Sequence, residues 1–327
     1  RTSSFAFKGK SMTAQQIVDQ LKVGYLLEGS VQRDADKVRI NVQLIDGGNG
    51  NHIWSERYDR KLEDLFALQD QITMAVMAAV NVQFTLGAGA SLKYSRPSNL
   101  RAYEYYLKGL YHQSRRSPQD LLAAEQMFEE AINHDPNFAA AYRSLGYVHA
   151  DKVWFRVSKS PEKSIEQAEQ AAQKFIVLSP NQPPPYPLLS MISVLKKDLK
   201  NAILFGEKAI EVSPNEAGCY LSLGMALRNA GRFEESIVNL ETALRLSPLR
   251  PLNIINNLAW SCVGNKQYDK AILFWRETLE RNPDYLFAYQ GLTAAYELSG
   301  NHEKALWAAA NVMRVKPKFS IEVEEKM

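Results

Sequence analysis

The sequence has few cysteines, little net charge and no long apolar run. Cys219 and Cys262 are the only cysteines among 327 residues, which fits a reducing compartment better than a disulfide framework. The net charge is +3 and no dense stripe of lysine and arginine occurs, so nucleic-acid binding is disfavoured. The most apolar stretch, residues 72–86, is shorter than the roughly 18 residues of a membrane span, and Asn81 and Gln83 interrupt it. We therefore expect a cytoplasmic protein that binds neither nucleic acid nor membrane.

Motifs of catalysis are missing as well. None of the five histidines pairs with another histidine, a cysteine or a carboxylate at metal-ligand spacing, and no G-x-S-x-G context surrounds a serine. The glycine-rich run at residues 47–50 lies between two strand-like patterns, whereas a phosphate-binding loop leads into a helix. It therefore predicts a hairpin turn. We expect no catalytic residue, no cofactor and no metal ion. The enzymatic alternative would require turnover by the isolated chain, abolished by one substitution in a cleft.

Prolines recur at a fixed interval through the second half of the chain. Pro180, Pro214, Pro248, Pro283 and Pro317 are separated by 34, 34, 35 and 34 residues. Each follows an apolar helical pattern, and proline cannot continue a helix, so each marks the end of one unit. A fixed period of this length indicates a repeat architecture.

Within these units large and small residues recur at matching places. In the unit that ends at Pro248, Tyr220 and Gly224 come early and Ala243 follows, while Gly231 suits the turn between two paired helices. The pattern resembles the tetratricopeptide repeat, which combines an aromatic residue, Leu-Gly, an alanine and a closing proline over 34 residues. Three consecutive units match this spacing and three earlier ones match less cleanly. The first of these has a longer interval from glycine to proline, which predicts a longer turn. The second holds about ten extra residues around 154–161, and the third begins with a proline run that should shorten its first helix.

This resemblance implies a mainly α fold, namely a right-handed α-solenoid of about six tetratricopeptide helix pairs. The solenoid should cover residues 99–317, and residues 318–327 should begin a C-terminal capping helix. Residues 1–90 do not follow the period. A helix is expected over Ser11–Leu21 with Ser11 or Thr13 as its cap, and alternating residues in 25–33, 37–45 and 52–58 predict a three-stranded antiparallel meander. A further helix over residues 62–84 and a linker over 91–98 complete the prediction.

The amino-terminal region resembles a particular bacterial module. The blocks LEGSV at 27–31, QLID at 43–46 and WSERYD at 54–59 are similar to the small α/β domain, related to the TolB amino-terminal domain, that precedes tetratricopeptide repeats in signalling proteins. The resemblance implies an effector upstream, with a class III adenylate cyclase preferred and a Ser/Thr kinase or a winged-helix regulator as alternatives. Because the chain starts at Arg1 rather than Met, we expect a part of a longer protein in which this module is incomplete.

The repeat resemblance also implies a binding groove. In that family the second, fifth, ninth and twelfth residues of each unit line a concave surface, and a protein or peptide ligand is expected there. The corresponding residues are Arg143, Tyr147, Met191, Leu221, Met225, Arg228, Asn253, Asn256, Trp260 and Gln290. Met191 and Leu221 fit core packing as well as the groove. The partner is a separate protein or the upstream effector, and open solenoid ends make a homodimer possible.

Overall fold

A computed structural model describes residues 7, 10–61, 68–69, 71–72, 75–76, 79, 97, 99–247 and 249–317. The chain divides into two compact units, Arg1–Tyr94 and Ser95–Met327. The proposed linker at 91–98 and the capping helix at 318–327 lie almost wholly outside the described residues, so the domain limits stay predictions. The described residues form thirteen helices and three strands.

The described part of the amino-terminal unit includes a helix near its start and a three-stranded sheet. Helix α1 (Ala14–Leu21) begins at Thr13, whose hydroxyl accepts from the Gln16 amide while the Gln16 side chain accepts from the Thr13 amide. This reciprocal pair satisfies two free amides at the helix start. Strands β1 (Tyr25–Asp34), β2 (Lys37–Asp46) and β3 (His52–Lys61) pair antiparallel in the order β1-β2-β3. The predicted meander is confirmed.

The core of this sheet follows from the alternation in β2. Val38, Val42 and Leu44 are all buried, and Val42 packs with Tyr58 and Leu68. Most of the predicted helix at 62–84 lies outside the described residues, so only isolated positions from it are seen at this core.

The glycine-rich run is a hairpin turn between β2 and β3. The Gly48 amide donates to the Asp46 carboxylate at 2.7 Å, and the Gly50 amide donates to the Asp46 carbonyl at 2.8 Å. Gly50 has φ +73°, which glycine adopts without strain. These amides already have acceptors and a strand follows them, so the loop is not a phosphate cradle.

The second unit is a row of six helix pairs, as the repeat pattern predicts. Each pair consists of a first helix and a second helix joined by a short turn. The pairs are α2 (Leu100–Arg115) with α3 (Pro118–His134), α4 (Ala139–Trp154) with α5 (Pro161–Leu178), α6 (Tyr186–Leu195) with α7 (Leu199–Val212), α8 (Ala217–Asn229) with α9 (Phe233–Arg245), α10 (Leu252–Gly264) with α11 (Tyr268–Arg281), and α12 (Leu286–Leu298) with α13 (His302–Val315).

Small residues on the first helices let their partners approach closely. A Cβ on Gly224 would lie 2.6 Å from Leu240 Cγ, and a Cβ on Gly291 would overlap the Trp275 indole. Leu240 and Trp275 are fully buried. In each of these contacts a large side chain occupies the space that a methyl group on the glycine would fill. The absence of that methyl group determines how closely the two helices pack.

Two expectations about repeat lengths are corrected. The first pair has only two residues between α2 and α3, so its extra length lies in longer helices and not in a longer turn. Likewise, α4 has 16 residues and α5 has 18, against 13 in each of α8 and α9, so most of the second unit's insertion extends its helices. The proline run does shorten a first helix, since α6 has ten residues.

Candidate functional site

The first helices form one continuous face of the solenoid. Helix α4 contacts α6, α6 contacts α8, α8 contacts α10, and α10 contacts α12. Residues spaced three or four apart on any of these helices therefore line the same surface. All ten predicted groove residues lie on α4, α6, α8, α10 or α12.

This face curls back on itself. Phe155, which directly follows α4, contacts Phe287 in α12 with ring centroids 5.8 Å apart, and Phe287 also meets Tyr285 edge-on at 5.6 Å. We call Phe155, Tyr285 and Phe287 the aromatic bridge. It joins the second repeat to the sixth. We call the surface that the first helices α6, α8 and α10 form between these two ends the cleft.

The Arg116 guanidinium, in the turn of the first repeat, lies near the aromatic bridge. Burial raises the pKa of the Tyr285 hydroxyl to about 12, and the Arg116 guanidinium opposes that rise. Arg116 likewise opposes the raised pKa of the buried Asp151 carboxyl in α4. The turn between α2 and α3 therefore lies near both ends of the contact.

The ten predicted residues differ little in exposure. Arg143 is exposed and the other nine are half-buried. Tyr147 and Met191 pack around one cluster that contains Ala150 and Ile192, while Leu221 and Trp260 pack against the cluster that contains Trp275. The ten residues thus lie on the first helices, and four of them pack against two separate clusters.

Two of the predicted groove residues are engaged in packing within the fifth repeat. Asn256 accepts a hydrogen bond from Trp275 Nε1 at 3.0 Å. Trp260 meets the same indole edge-on, with ring centroids 5.2 Å apart. Because Trp275 is fully buried, the side chains of Asn256 and Trp260 stabilise the α10–α11 pair before they can serve a ligand.

A different set of contacts surrounds Arg228 in α8. Its guanidinium lies over the Trp154 ring, 5.9 Å from the centroid, a cation–π arrangement. Within the described chain it makes no salt bridge and no hydrogen bond, and burial lowers its pKa to about 10. Trp154 and Asp151 are site residues that the repeat positions missed. Their places seven and four residues after Tyr147 are helical spacing, the one signal in the sequence that could have found them.

Tyr147 lies at the same cleft, between oppositely charged groups. Burial raises the pKa of its hydroxyl above the ordinary range, Arg143 opposes this rise, and Glu216 at the start of α8 adds to it. The Tyr147 side chain still keeps some exposed surface.

Nothing in the described ranges supports catalysis or metal binding. No group of three or more histidine, cysteine, aspartate or glutamate side chains there is placed to hold a metal ion. Burial raises the pKa of the Cys219 and Cys262 thiols to about 11, which makes both poor nucleophiles. Burial also lowers the pKa of His149 to about 4. A search of the same ranges found no helix with the length and apolar character needed to span a bilayer.

A family model described as tetratricopeptide repeat matches residues 217–248, which contain the α8–α9 pair. A solved structure, the crystal structure of the APC/C hetero-tetramer Cut9–Hcn1, superposes with a TM-score of 0.54 at 15% identity, covering 79% of this chain and 52% of that one. This second likeness is one of fold.

Two bacterial relatives are similar in sequence. A putative adenylate cyclase 3 of Rhizobium meliloti (strain 1021) is 34% identical over 183 residues, which are 56% of this chain and 31% of the relative. The transcriptional regulator HilA of Salmonella typhimurium is 23% identical over 299 residues, which are 89% of this chain and 52% of the regulator. The chain therefore spans about a third of the first relative and about half of the second.

Proposed function

We propose that this chain, a tetratricopeptide-repeat protein, is a non-catalytic interaction region that binds a peptide segment of a partner protein in the cleft between its first helices. The observation that carries the proposal is that Tyr147, Trp154 and Arg228 lie half-buried at the cleft and keep their polar atoms free of protein partners within the described chain. Aromatic, methionine and arginine side chains are enriched at interfaces. Stacked repeats use such concave surfaces for binding.

Trp154 in α4 and the Arg228 guanidinium from α8 meet across the face, 5.9 Å from ring centroid to guanidinium carbon. Because these two side chains are in contact, a ligand lies over the pair and not between its members. An amphipathic helix and an extended segment both suit such a surface.

The parent is a bacterial multidomain signalling protein, with an adenylate cyclase-like protein preferred. The identity to the putative adenylate cyclase and the small share of that relative which is covered support this choice. The regulatory half of a winged-helix transcription regulator is the alternative, and the longer alignment with HilA favours it. The gene sequence before Arg1 distinguishes them, because a winged helix, a kinase and a cyclase domain have different sequence motifs. The same interaction could involve that upstream domain, and the chain is proposed to bind no cofactor, nucleic acid or membrane.

Peptide selection tests the binding role directly. A random library of displayed peptides of about twelve residues, which span roughly 40 Å when extended, is selected against the full chain. Affinities are then measured by fluorescence anisotropy. Truncating an anchor residue of an interface costs about 1–2 kcal/mol or more, so Tyr147→Ala and Met225→Ala should each weaken binding about tenfold. Trp260→Ala is avoided because that side chain supports Trp275.

Leu273→Ala in α11 is the matched control, because this exposed side chain lies on a second helix. It should leave every affinity unchanged. If no peptide is selected, or if Tyr147→Ala and Met225→Ala bind as tightly as the unaltered chain, the cleft is not the binding site.

A further inference from the structure

Arg228 differs from the other arginines of the solenoid. Where those arginines have a carboxylate partner, the pairs are near the surface, as in Arg115 with Asp120, Arg250 with Glu277 and Arg314 with Asp284. The remaining arginines of the described solenoid that lack such a partner are exposed, so water satisfies them. Arg228 alone in this range is half-buried without a carboxylate, and an enclosed cation without an anion is costly.

The surroundings hold its guanidinium ready for an anion. The guanidinium carbon lies 5.9 Å from the centroid of the Trp154 ring. No acceptor in the described chain bonds its N–H groups, which are therefore available to a carboxylate. A guanidinium matches a carboxylate with two parallel hydrogen bonds, and a single orientation makes that match more specific. Met225 lies one turn before Arg228 on the same face of α8 and supplies apolar surface beside it.

We propose that Arg228, beside Trp154, binds the side-chain carboxylate of an aspartate or glutamate in the bound peptide, which makes the cleft selective for acidic segments. This inference rests on the proposed peptide binding. It names the ligand's chemical class, and it assigns Trp154 as the residue that positions Arg228.

The test compares peptides that differ by a single charge. For each peptide selected against the full chain, a partner is synthesised in which one acidic residue becomes its amide, Asp→Asn or Glu→Gln. Hydrogen bonds to charged groups contribute enough for about a tenfold to hundredfold change in Kd. We expect that loss for one acidic position, and an equal loss for the unaltered peptide on Arg228→Gln.

Two further variants separate the site from general charge. Arg245→Gln removes an exposed arginine from α9 and should leave Kd within about twofold, the effect expected of a screened surface charge. Arg228→Lys keeps the charge without the planar fork and should recover only part of the affinity.

The outcomes distinguish this inference from the proposed function. Selected peptides that require no acidic residue, or that bind Arg228→Gln as tightly as the unaltered chain, overturn the carboxylate site while peptide binding stands. Acidic peptides that lose equal affinity on Arg245→Gln also overturn it, because the effect would then be general electrostatics. A carboxylate requirement met only by the peptide's own C-terminus, abolished by amidation, overturns the side-chain assignment. Failure to select any peptide overturns both proposals.

Discussion

Replacing Arg228 with methionine should make the protein more stable. The pKa of the guanidinium falls from 12.5 to about 10 through burial alone, and each unit corresponds to about 1.36 kcal/mol. This gives roughly 3 kcal/mol as an upper limit for the cost of holding the charge. Partial contact with solvent reduces that cost by about half, and the lost contact with Trp154 removes about 0.5–1 kcal/mol of stabilisation. A net gain of about 1 kcal/mol remains.

The pH of the measurement follows from the direction of the shift. The folded-state pKa lies below the unfolded value, so the charge destabilises the fold fully below about pH 10. The cost disappears only as the pH rises from there towards 12.5. A neutral buffer therefore reports the whole effect.

Urea denaturation followed by circular dichroism at neutral pH measures this difference, and thermal melting should show a rise of about 2–4 °C for a unit of this size. The reasoning is refuted if Arg228→Met lowers the unfolding free energy by 1 kcal/mol or more, since Arg228 would then be a structural residue. Arg245→Met serves as the control for a general effect of methionine on a solenoid helix and should change stability by less than about 0.5 kcal/mol.

Three other predictions concern the repeats themselves. Gly291→Ala should destabilise the protein in urea by about 1–3 kcal/mol because the new methyl group overlaps Trp275. Gly218→Ala, with open space around it, should instead stabilise helix α8 by about 0.5–1 kcal/mol. Equal effects of the two substitutions would contradict the close-contact explanation. Lys266→Gly should raise the urea midpoint, by roughly 0.5 kcal/mol of stability, because Lys266 holds φ +59°, and a lower midpoint would argue against strain at this turn. Asp120→Asn should lower the free energy of unfolding by about 1 kcal/mol at pH 7. Hydrogen bonds, first from Ser117, lower the pKa of the Asp120 carboxyl from 3.8 to about 2. The stabilisation by the Asp120 carboxylate is therefore complete above pH 3.8 and is lost as the pH falls through 2. A difference in unfolding free energy between the unaltered chain and Asp120→Asn that stays constant from pH 7 to pH 2 would contradict that assignment.

Much of the fold follows from local patterns in the sequence. The proline interval and the small residues facing Leu240 and Trp275 predicted the six helix pairs, because each repeat buries the same face against its neighbour. The alternation in β2 and the glycines after Asp46 predicted the hairpins for a similar reason, since strand faces and turn conformations depend on residues close in sequence.

The turns show where local pattern was insufficient. Gly231 and Gly300 adopt the expected left-handed conformation with φ of +75° and +81°. Arg156, Lys197 and Lys266 occupy the equivalent position, two residues after the first helix of their pairs, with φ between +57° and +61°. The helix ends on either side determine the turn there, so the identity of the residue is a weak guide to its conformation.

The site was less predictable because its geometry depends on distant repeats. The groove positions of the repeat pattern treat each unit alike, yet Trp260 packs on Trp275 while Arg228 reaches Trp154. The contact joins α8 to α4, which are separated along the chain by the short helix α6, and the length of α6 reflects the proline run before it. The contact between Phe155 and Phe287 depends on the rotations of all the repeats between them, which no single motif encodes.

The aromatic bridge makes the number of repeats between its two ends a fixed quantity. A linear array can gain or lose a unit with effects only on the neighbours, but here an added or deleted pair between Phe155 and Phe287 would move one ring away from the other. The two phenylalanines lie in repeats that are not adjacent along the chain, so unfolding of either repeat also releases the contact at the other. Natural length variation among proteins that keep this contact should therefore occur outside the segment from the second to the sixth repeat, and the contact should couple the unfolding of these two repeats.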